Sequence, residues 1–348
     1  MQSIKSNALE PTRSELAGLS RWQAIARLAP VYGLPILTLL LVVFFSLLLP
    51  DTFPTVLNAR SILADKAIVA LLSLAATLPM MAGRIDLTVG FGIVMWHILA
   101  ISLQVKFGVP WPLAIVIVIA CGALVGLING VLVEIAQIDA FIATLGTGTI
   151  LYALALWHTD GRQIIGPLSP GFIAINTTSI AGIPIPAVYV LLLAIGLWIV
   201  SERLPLGRHI YAIGANEKAA ALNGIPVRSY VIGVFVASGV IAGFAGCVLG
   251  AKLRIGQANV GLDYLLPALV GAFLGSTTIK PGRVNIWGTI CGVLILAVGI
   301  SGIQQLGGAF FVEPLFNGTT LVISIALAAF AQRRRTIARP TRATNDGG

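Results

Sequence analysis

Apolar and charged positions are distributed along this chain in long blocks. Ten stretches of sixteen or more residues contain no Asp, Glu, Lys or Arg. A helix needs about twenty predominantly apolar residues to cross the hydrocarbon core of a bilayer. The pattern therefore predicts an all-α polytopic membrane protein with about ten transmembrane helices.

The predicted spans follow these charge-free stretches. They run over about 28–49, 62–81, 89–105, 112–133, 141–159, 187–200, 231–250, 263–278, 284–304 and 311–331. Together they form a single transmembrane domain over residues 28–332, between a polar tail at 1–27 and a basic tail at 333–348. The first thirty residues are polar and mixed, so no cleavable signal peptide is expected. Residues 161–186, rich in Gly, Pro, Thr and Ser, are expected to be an outer loop against the membrane face.

Composition supports this class and charge gives it an orientation. Apolar residues make up 57% of the 348 and charged residues only 10%, whereas soluble proteins carry about 25% charged residues. The net charge of +9 does not point to nucleic acid, because 16 of the 22 basic residues fall in segments that alternating spans place on one side. By the positive-inside rule, that side and both termini are cytoplasmic.

The longest internal hydrophilic interval, Ser201 to Tyr230, is expected to meet a partner in water. Within it, NEKAAAL predicts a short helix with Asn216 as N-cap and with Ala219 and Ala220 leaving a bare surface. Gly224 is expected to end the helix with a positive φ angle. A solvated connector is the alternative interpretation.

A second charged interruption, Gly83 to Gly90, leaves almost no loop between two spans. One interpretation is an inside turn in which the charges of Arg84 and Asp86 are solvated. The other is a broken helix whose freed backbone lines a water-filled path. The sequence alone leaves both open.

Several interior residues are interpreted as packing groups. Gly122, Gly126 and Gly130 are spaced four apart, which puts them on one helix face where small residues allow close packing. His97 is expected to be a satisfied interior histidine. The three cysteines lie in apolar helices and suit neither a disulfide framework nor a metal site. Hydropathy allows a duplication of spans 2–5 and 7–10, but no repeat of letters supports it.

The chemistry that the sequence lacks restricts the function. No GxxxxGK[ST] phosphate-binding loop is present, and the carboxylates fall near span ends, where they do not form a proton or sodium relay. No catalytic Ser/His/Asp or His/carboxylate group recurs, so neither an enzyme nor a cofactor is expected. The remaining interpretation is a channel-forming subunit that another chain drives through the 201–230 segment.

Six separated motifs carry a resemblance to a known family. They are Gly83 with residues 85–90, Gly126 with Asn129-Gly130, residues 141–147, residues 206–208 with 211–214, Asn216 with 219–220 and 224–225, and residues 274–275 with 282–283 and 288–289. Through them the chain, over about 63–331, resembles the permease subunits of bacterial ATP-binding-cassette (ABC) sugar importers of the ribose, xylose and autoinducer-2 type.

The resemblance implies a multi-pass protein of the bacterial inner membrane that works with other subunits. Its implied partners are a cytosolic ABC ATPase, a periplasmic sugar-binding protein, a second permease copy or paralogue, and membrane lipid. NEKAAALNGI matches the family segment that docks on the ATPase. The implied coupling residues are Asn216, Glu217, Ala219, Ala220 and Gly224.

The cargo is expected to be a small neutral solute, a monosaccharide or polyol. The predicted spans present hydroxyl, amide and glycine surfaces with few charges that could complement an ion. The candidate path residues are Asp86, Thr88, Asn129, Thr144 and Thr147.

One departure from the family concerns charge, because relatives commonly carry two glycines where this chain has Gly83-Arg84. The main rival function is an ion-coupled secondary transporter of a small polar solute, and a scaffold role is a third. Uptake that needs ATP and partner proteins would favour the ABC importer over the secondary transporter.

Overall fold

The structure is a computed structural model that describes residues 21–308 and 311–323, with side chains from residue 32 onward. The described residues are mostly helical. The α-helices are α1 (Arg21–Leu48), α2 (Val56–Met81), α3 (Thr88–Val105), α4 (Trp111–Glu134), α5 (Ala140–Thr159), α6 (Pro170–Thr177), α7 (Ile185–Trp198), α8 (Pro205–Ala215), α9 (Glu217–Leu222), α10 (Val227–Leu253), α11 (Leu265–Leu274) and α12 (Ile286–Gln305). A last helix, α13, is described over residues 312–323.

Seven of the described helices are long and apolar enough to cross a membrane, which confirms a polytopic membrane protein. They are α2, α3, α4, α5, α7 with its continuation to Arg203, α10 and α12. Tyr32–Leu48 within α1 and Leu262–Leu274 are apolar but shorter. The expected number of about ten spans is therefore not confirmed. Part of the tenth predicted span, and the basic tail at 333–348, lie outside the described residues.

The spanning helices form an inner and an outer group. In α2, α3 and α12, 67% of the most apolar window is buried within the chain, and in α10 the share is 61%. In α4, α5 and α7 it is only 28%, 33% and 17%. Because these outer helices are also apolar enough to span a membrane, their uncovered faces are expected to meet lipid or another subunit.

Two sequence-based boundaries are corrected at the ends of the bundle. The first helix begins at Arg21, seven residues before the expected start at residue 28. The eighth predicted span, 263–278, contains only ten α-helical residues after one 3₁₀ turn, Leu262–Tyr264. Ten residues rise about 15 Å, half of a hydrocarbon core. After α11 the backbone is irregular although charged residues are still absent at first, because residues 275–285 are rich in Gly, Ser, Thr and Pro.

The packing of α4 on α10 explains the glycine spacing. A Cβ atom added to Gly126 would lie 2.3 Å from the Phe235 carbonyl oxygen, and one added to Gly122 would lie 2.3 Å from that of Gly239. At Gly130 the nearest atom would be the Ile232 Cα, at 2.8 Å. The predicted close helix contact is confirmed, since only glycine lets the two backbones approach this far.

The region predicted as an outer loop is partly ordered against the bundle. It contains α6 and a two-stranded antiparallel hairpin of β1 (Ser179–Ile180) and β2 (Ile183–Pro184). Phe172 of α6 is fully buried, and Ile164 pairs with Gly256 through backbone hydrogen bonds of 2.8 and 3.0 Å. The region therefore packs against the bundle, while its position outside and against the membrane face stays a prediction.

Polar contacts form two clusters, one where α2 ends and α10 begins, and the other beside the first half of α2 and the end of α10. One cluster joins the 82–87 and 201–230 segments to the start of α12 through the contacts described below. The other includes the pair of Lys252 with Asp65, at 2.8 Å, and the pair of Lys66 with Glu313, at 2.7 Å. This grouping agrees with spans that alternate in direction.

Candidate coupling and translocation site

A short irregular segment, residues 82–87, joins α2 to α3 and places a carboxylate inside the protein. Asp86 is 1% exposed. Its Oδ1 accepts hydrogen bonds from the backbone N–H of Thr88, at 2.9 Å, and from the Thr88 hydroxyl, and its Oδ2 accepts one from the Ser238 hydroxyl of α10 at 2.7 Å. Three donors offset the cost of taking this side chain out of water.

The five candidate path residues belong to one polar network. Asn129 of α4 donates to the Thr88 hydroxyl at 3.2 Å and accepts from the Thr147 hydroxyl of α5 at 2.7 Å. The backbone N–H of Leu87 donates to the Thr144 hydroxyl at 3.1 Å. The network therefore fixes the start of α3 against α4, α5 and α10.

This network is closed in the conformation that the structure shows. Asp86, Asn129 and Thr144 are at most 1% exposed, and their polar atoms bond to neighbouring hydroxyl groups and to the backbone. A polar recess of about 410 Å³ lies nearby. It is lined by Gly83, Arg84, Ile85, Val133, Gln137, Ile138, Asp139, Ala140 and Phe141. None of the candidate path residues lines it, so their role in translocation remains a prediction.

The geometry of Gly83–Gly90 fits neither sequence interpretation in full. The solvated turn is wrong for Asp86, which is buried, although Arg84 keeps 27% of its side chain exposed. The backbone between Met81 and Thr88 is irregular, as a broken helix requires, but its groups bond to protein. Buried protein contacts are the other condition under which irregular backbone is tolerated at membrane depth.

The predicted coupling helix is present as α9. The side chain of Asn216 caps it by accepting from the Ala219 N–H at 3.0 Å, and Glu217 is its first residue. Gly224 follows the helix with φ +79°. The N-cap, the helix and the positive φ angle are confirmed. The structure adds α8, an amphipathic helix that the sequence interpretation did not include, immediately before it.

Ala220 does not contribute to an open surface of α9. It is 4% exposed and belongs to the hydrophobic core, whereas Ala219 is exposed. The expectation that both alanines form one bare face is therefore wrong. The helix instead exposes Leu222, of which 89% is accessible. An apolar side chain so exposed beside charged residues suits a protein contact.

Arg84 connects the 82–87 segment to this helix. Its Nη2 donates to Glu217 Oε2 at 2.7 Å and to Glu134 Oε1 at 3.1 Å. Glu134 ends α4 and is 2% exposed. Burial alone would lower the pKa of Arg84, but the hydrogen bonds that it donates to the two carboxylates, together with their charges, outweigh burial and raise it. Arg84, the cation by which this chain departs from the usual two glycines, thus neutralises a buried carboxylate.

A second set of contacts joins the 201–230 segment to the start of α12. Lys280 Nζ lies 2.5 Å from Glu202 Oε2, and the Arg283 guanidinium lies 3.4 Å from the ring centre of Tyr211 in α8. The Tyr211 hydroxyl donates to the Val284 carbonyl at 2.9 Å. Burial raises the pKa of Tyr211 to about 12, although Arg283 opposes the shift. The phenol therefore stays protonated and keeps donating at neutral pH.

His97 and the three cysteines form no metal or catalytic group in the described residues. His97 is buried, with its ring nitrogens 2.9 Å from the Ile93 carbonyl and 3.1 Å from the Gln257 carbonyl. Cys121, Cys247 and Cys291 are free thiols in apolar helices. No group of three or more potential metal ligands lies together in this part of the chain.

Sequence reasoning missed Ser238, Leu222 and the role of Arg84. Ser238 lies 152 positions from Asp86, so spacing gave no signal for their contact. Leu222 could have been identified from the sequence, because it is the lone large apolar residue in a short polar helix. Arg84 is an unusual cation in the sequence, but its partners Glu134 and Glu217 lie 50 and 133 positions away, so spacing gives no signal for these contacts either.

Comparison with known proteins places this arrangement in a family. A family model described as branched-chain amino acid transport system / permease component matches residues 58–331. No solved structure matches the chain.

Similar curated proteins are import permeases. The ribose import permease protein RbsC of Bacillus subtilis (strain 168) is 35% identical over 302 residues, covering 86% of this chain and 92% of that protein. The D-allose transport system permease protein AlsC of Escherichia coli (strain K12) is 29% identical, covering 85% and 90%. The autoinducer 2 import system permease protein LsrD of Enterobacter sp. (strain 638) is 28% identical, covering 82% and 90%. The chain belongs to the branched-chain amino acid transport system / permease component family.

Proposed function

We propose that this chain is the permease subunit of an ABC importer in the bacterial inner membrane and carries a small neutral solute, a monosaccharide or polyol. The supporting observation is the combination of a multi-pass helical bundle with similarity, over most of its length, to ribose, allose and autoinducer-2 import permeases. Energy would come from a separate cytosolic ATPase chain, and solute from a periplasmic binding protein.

The proposed orientation puts both termini and the 201–230 segment in the cytoplasm. Charge supports it, because 16 of the 22 basic residues lie on that side of the predicted spans. The apolar outer faces of α4, α5 and α7 would contact lipid and a second permease copy.

The ATPase would dock on α9. Asn216 and Gly224 set the ends of the helix, and Ala219, Glu217 and Leu222 are exposed on it. Leu222 is the apolar group available for burial in a partner, and covering a leucine side chain contributes about 1.5–3 kcal/mol. Ala220 would support α9 from inside the chain.

Co-purification tests this docking surface. We expect Leu222→Ser to lower recovery of the ATPase with the tagged permease by about tenfold or more, because about 1.4 kcal/mol corresponds to a factor of ten. Leu306→Ser is the matched control, since Leu306 is 48% exposed beyond the end of α12. Normal recovery with Leu222→Ser, at normal expression, would contradict docking through α9.

The cargo is tested on the binding protein that works with this permease. We expect a screen of ribose, other pentoses and hexoses, polyols and leucine to identify a neutral sugar or polyol. The permease itself should bind this solute weakly, because a carrier must release its cargo. A strong preference for leucine or another amino acid would overturn the sugar assignment.

A further inference from the structure

The two segments that contact α8 and α9 share a sequence pattern. Residues 83–87 read Gly-Arg-Ile-Asp-Leu and residues 282–286 read Gly-Arg-Val-Asn-Ile. Each position is occupied by the same residue or by one of similar shape. This match relates the α2–α3 connection to the α11–α12 connection. It relates predicted spans 2 and 3 to spans 8 and 9, whereas the duplication that hydropathy allows relates spans 2–5 to spans 7–10.

The residues that the two segments share adopt similar local structures. Gly83 and Gly282 have φ angles of +76° and +80°. Asp86 and Asn285, 1% and 4% exposed, each accept a hydrogen bond from a backbone N–H at the start of the following helix, at 2.9 and 2.8 Å. Asn285 also donates to the Gly275 carbonyl at 2.7 Å. Each segment therefore fixes the first turn of an inner helix, α3 or α12.

One face of α8 contacts both segments. Tyr211 and Gly214 are three residues apart, so they lie on the same side of the helix. The Tyr211 hydroxyl donates to Val284, as described above. A Cβ atom added to Gly214 would lie 2.2 Å from the Met81 carbonyl oxygen, immediately before the first segment.

The arginine of each segment is directed toward an acidic residue of the 201–230 interval. Arg84 pairs with Glu217, and Arg283 lies 4.0 Å from Glu202, which Lys280 also pairs. The Arg84–Glu217 pair is partly exposed, at 27% and 45%. Such partly exposed pairs contribute little to stability. Their placement suggests a role in relaying movement.

We propose that Arg84 and Arg283 are positioning residues of the transport cycle that tie the α8–α9 unit to the first turns of α3 and α12. Movement of α9 by the ATPase would then displace both inner helices together and act on the buried network of Asp86. This inference rests on the proposed function. It adds to that function the two contacts through which movement of α9 would reach the inner helices.

A double-mutant cycle in the reconstituted importer tests the first tie, which is the contact of Arg84 with Glu217. Every variant in the cycle, and its reference protein, also carries Glu134→Gln, so that loss of Arg84 leaves no unpaired buried carboxylate. In this background we expect Arg84→Gln and Glu217→Gln each to lower solute transported per ATP hydrolysed by about threefold to tenfold. The double variant should fall no further than the worse single variant, because contacting residues are not additive. Glu217→Asp should restore part of the loss.

The same cycle with Arg283→Gln and Tyr211→Leu tests the second tie, the stacking of Arg283 on the ring of Tyr211 in α8. The matched control is Asp65→Asn, which removes a pair of similar exposure, 28% and 59%, at the opposite end of the bundle. It should leave the transport ratio unchanged.

The outcomes separate this inference from the proposed function. Failure of the unaltered importer to couple uptake to ATP would overturn the proposed function. Coupled uptake with no loss in the four single variants would overturn the inference alone. Losses that multiply in the double variants would also overturn it, since each residue would then act independently.

Discussion

At the scale of single residues, the buried carboxylate of Asp86 organises the packing around the start of α3. A charged group in such surroundings is tolerated only with several donors. The aspartate and its neighbours Thr88 and Thr144 were selected from the sequence as candidates. Their closure into a network could not be predicted, because the hydrogen bonds join residues of α3, α4, α5 and α10 that are far apart in sequence.

Removal of one donor should measure the contribution of this network to stability. We expect Ser238→Ala to lower the free energy of unfolding by about 1.5–3 kcal/mol, the range for hydrogen bonds to charged groups. Thermal unfolding of the purified protein measures the change.

A second buried serine provides the control. Ser73 is also fully buried, but its hydroxyl has no hydrogen-bond partner among the described residues. Ser73→Ala should therefore be neutral or stabilising. Equal effects of the two substitutions would show that Asp86 does not depend on Ser238.

At the scale of elements, charge-free stretches and caps predict most helices well. The helix after Asn216 was predicted because Asn is a good N-cap and Gly224 a good terminator. The inward side of α9 was not predicted, because six residues with three alanines give no amphipathic pattern. The length of α11 was overestimated, because the absence of charged residues does not distinguish a helix from buried irregular backbone.

The contact between α4 and α10 gives a prediction at this scale. We expect Gly126→Ala to destabilise the protein by about 1–3 kcal/mol, because the new methyl would meet the rigid Phe235 backbone. The higher helix propensity of alanine, about 1 kcal/mol, would offset only part of this.

Gly146→Ala in α5 is the matched control, since no atom lies within 4 Å of the added Cβ. It should be neutral or slightly stabilising in the same unfolding measurement. A stable Gly126→Ala protein would show that α4 and α10 are less closely packed than the structure indicates.

At the scale of the whole molecule, composition determined the class correctly because a bilayer admits so few backbone arrangements. The 10% share of charged residues and the long apolar stretches were enough to predict a polytopic helical protein. The repeated Gly-Arg segment escaped detection because five residues with two identities are weak evidence until the backbone angles and contacts coincide.

The orientation of the molecule gives a further prediction. A reporter that is active only in the cytoplasm should be inactive when fused at Gly171, in α6, and active when inserted after Asn223, in the 201–230 segment. The positive-inside distribution of Lys and Arg is the physical reason. The opposite pattern would reverse the proposed topology and remove α9 from reach of a cytosolic ATPase.

The central claim is that ATP hydrolysis by a partner chain drives solute through this permease. Its most direct test is uptake of labelled solute into proteoliposomes that contain the permease and its ATPase, with the binding protein outside and ATP inside. The account predicts uptake that requires all three proteins and ATP and that persists when proton and sodium gradients are collapsed. Uptake by the permease alone, driven by either gradient without ATP, would contradict it and would identify an ion-coupled transporter.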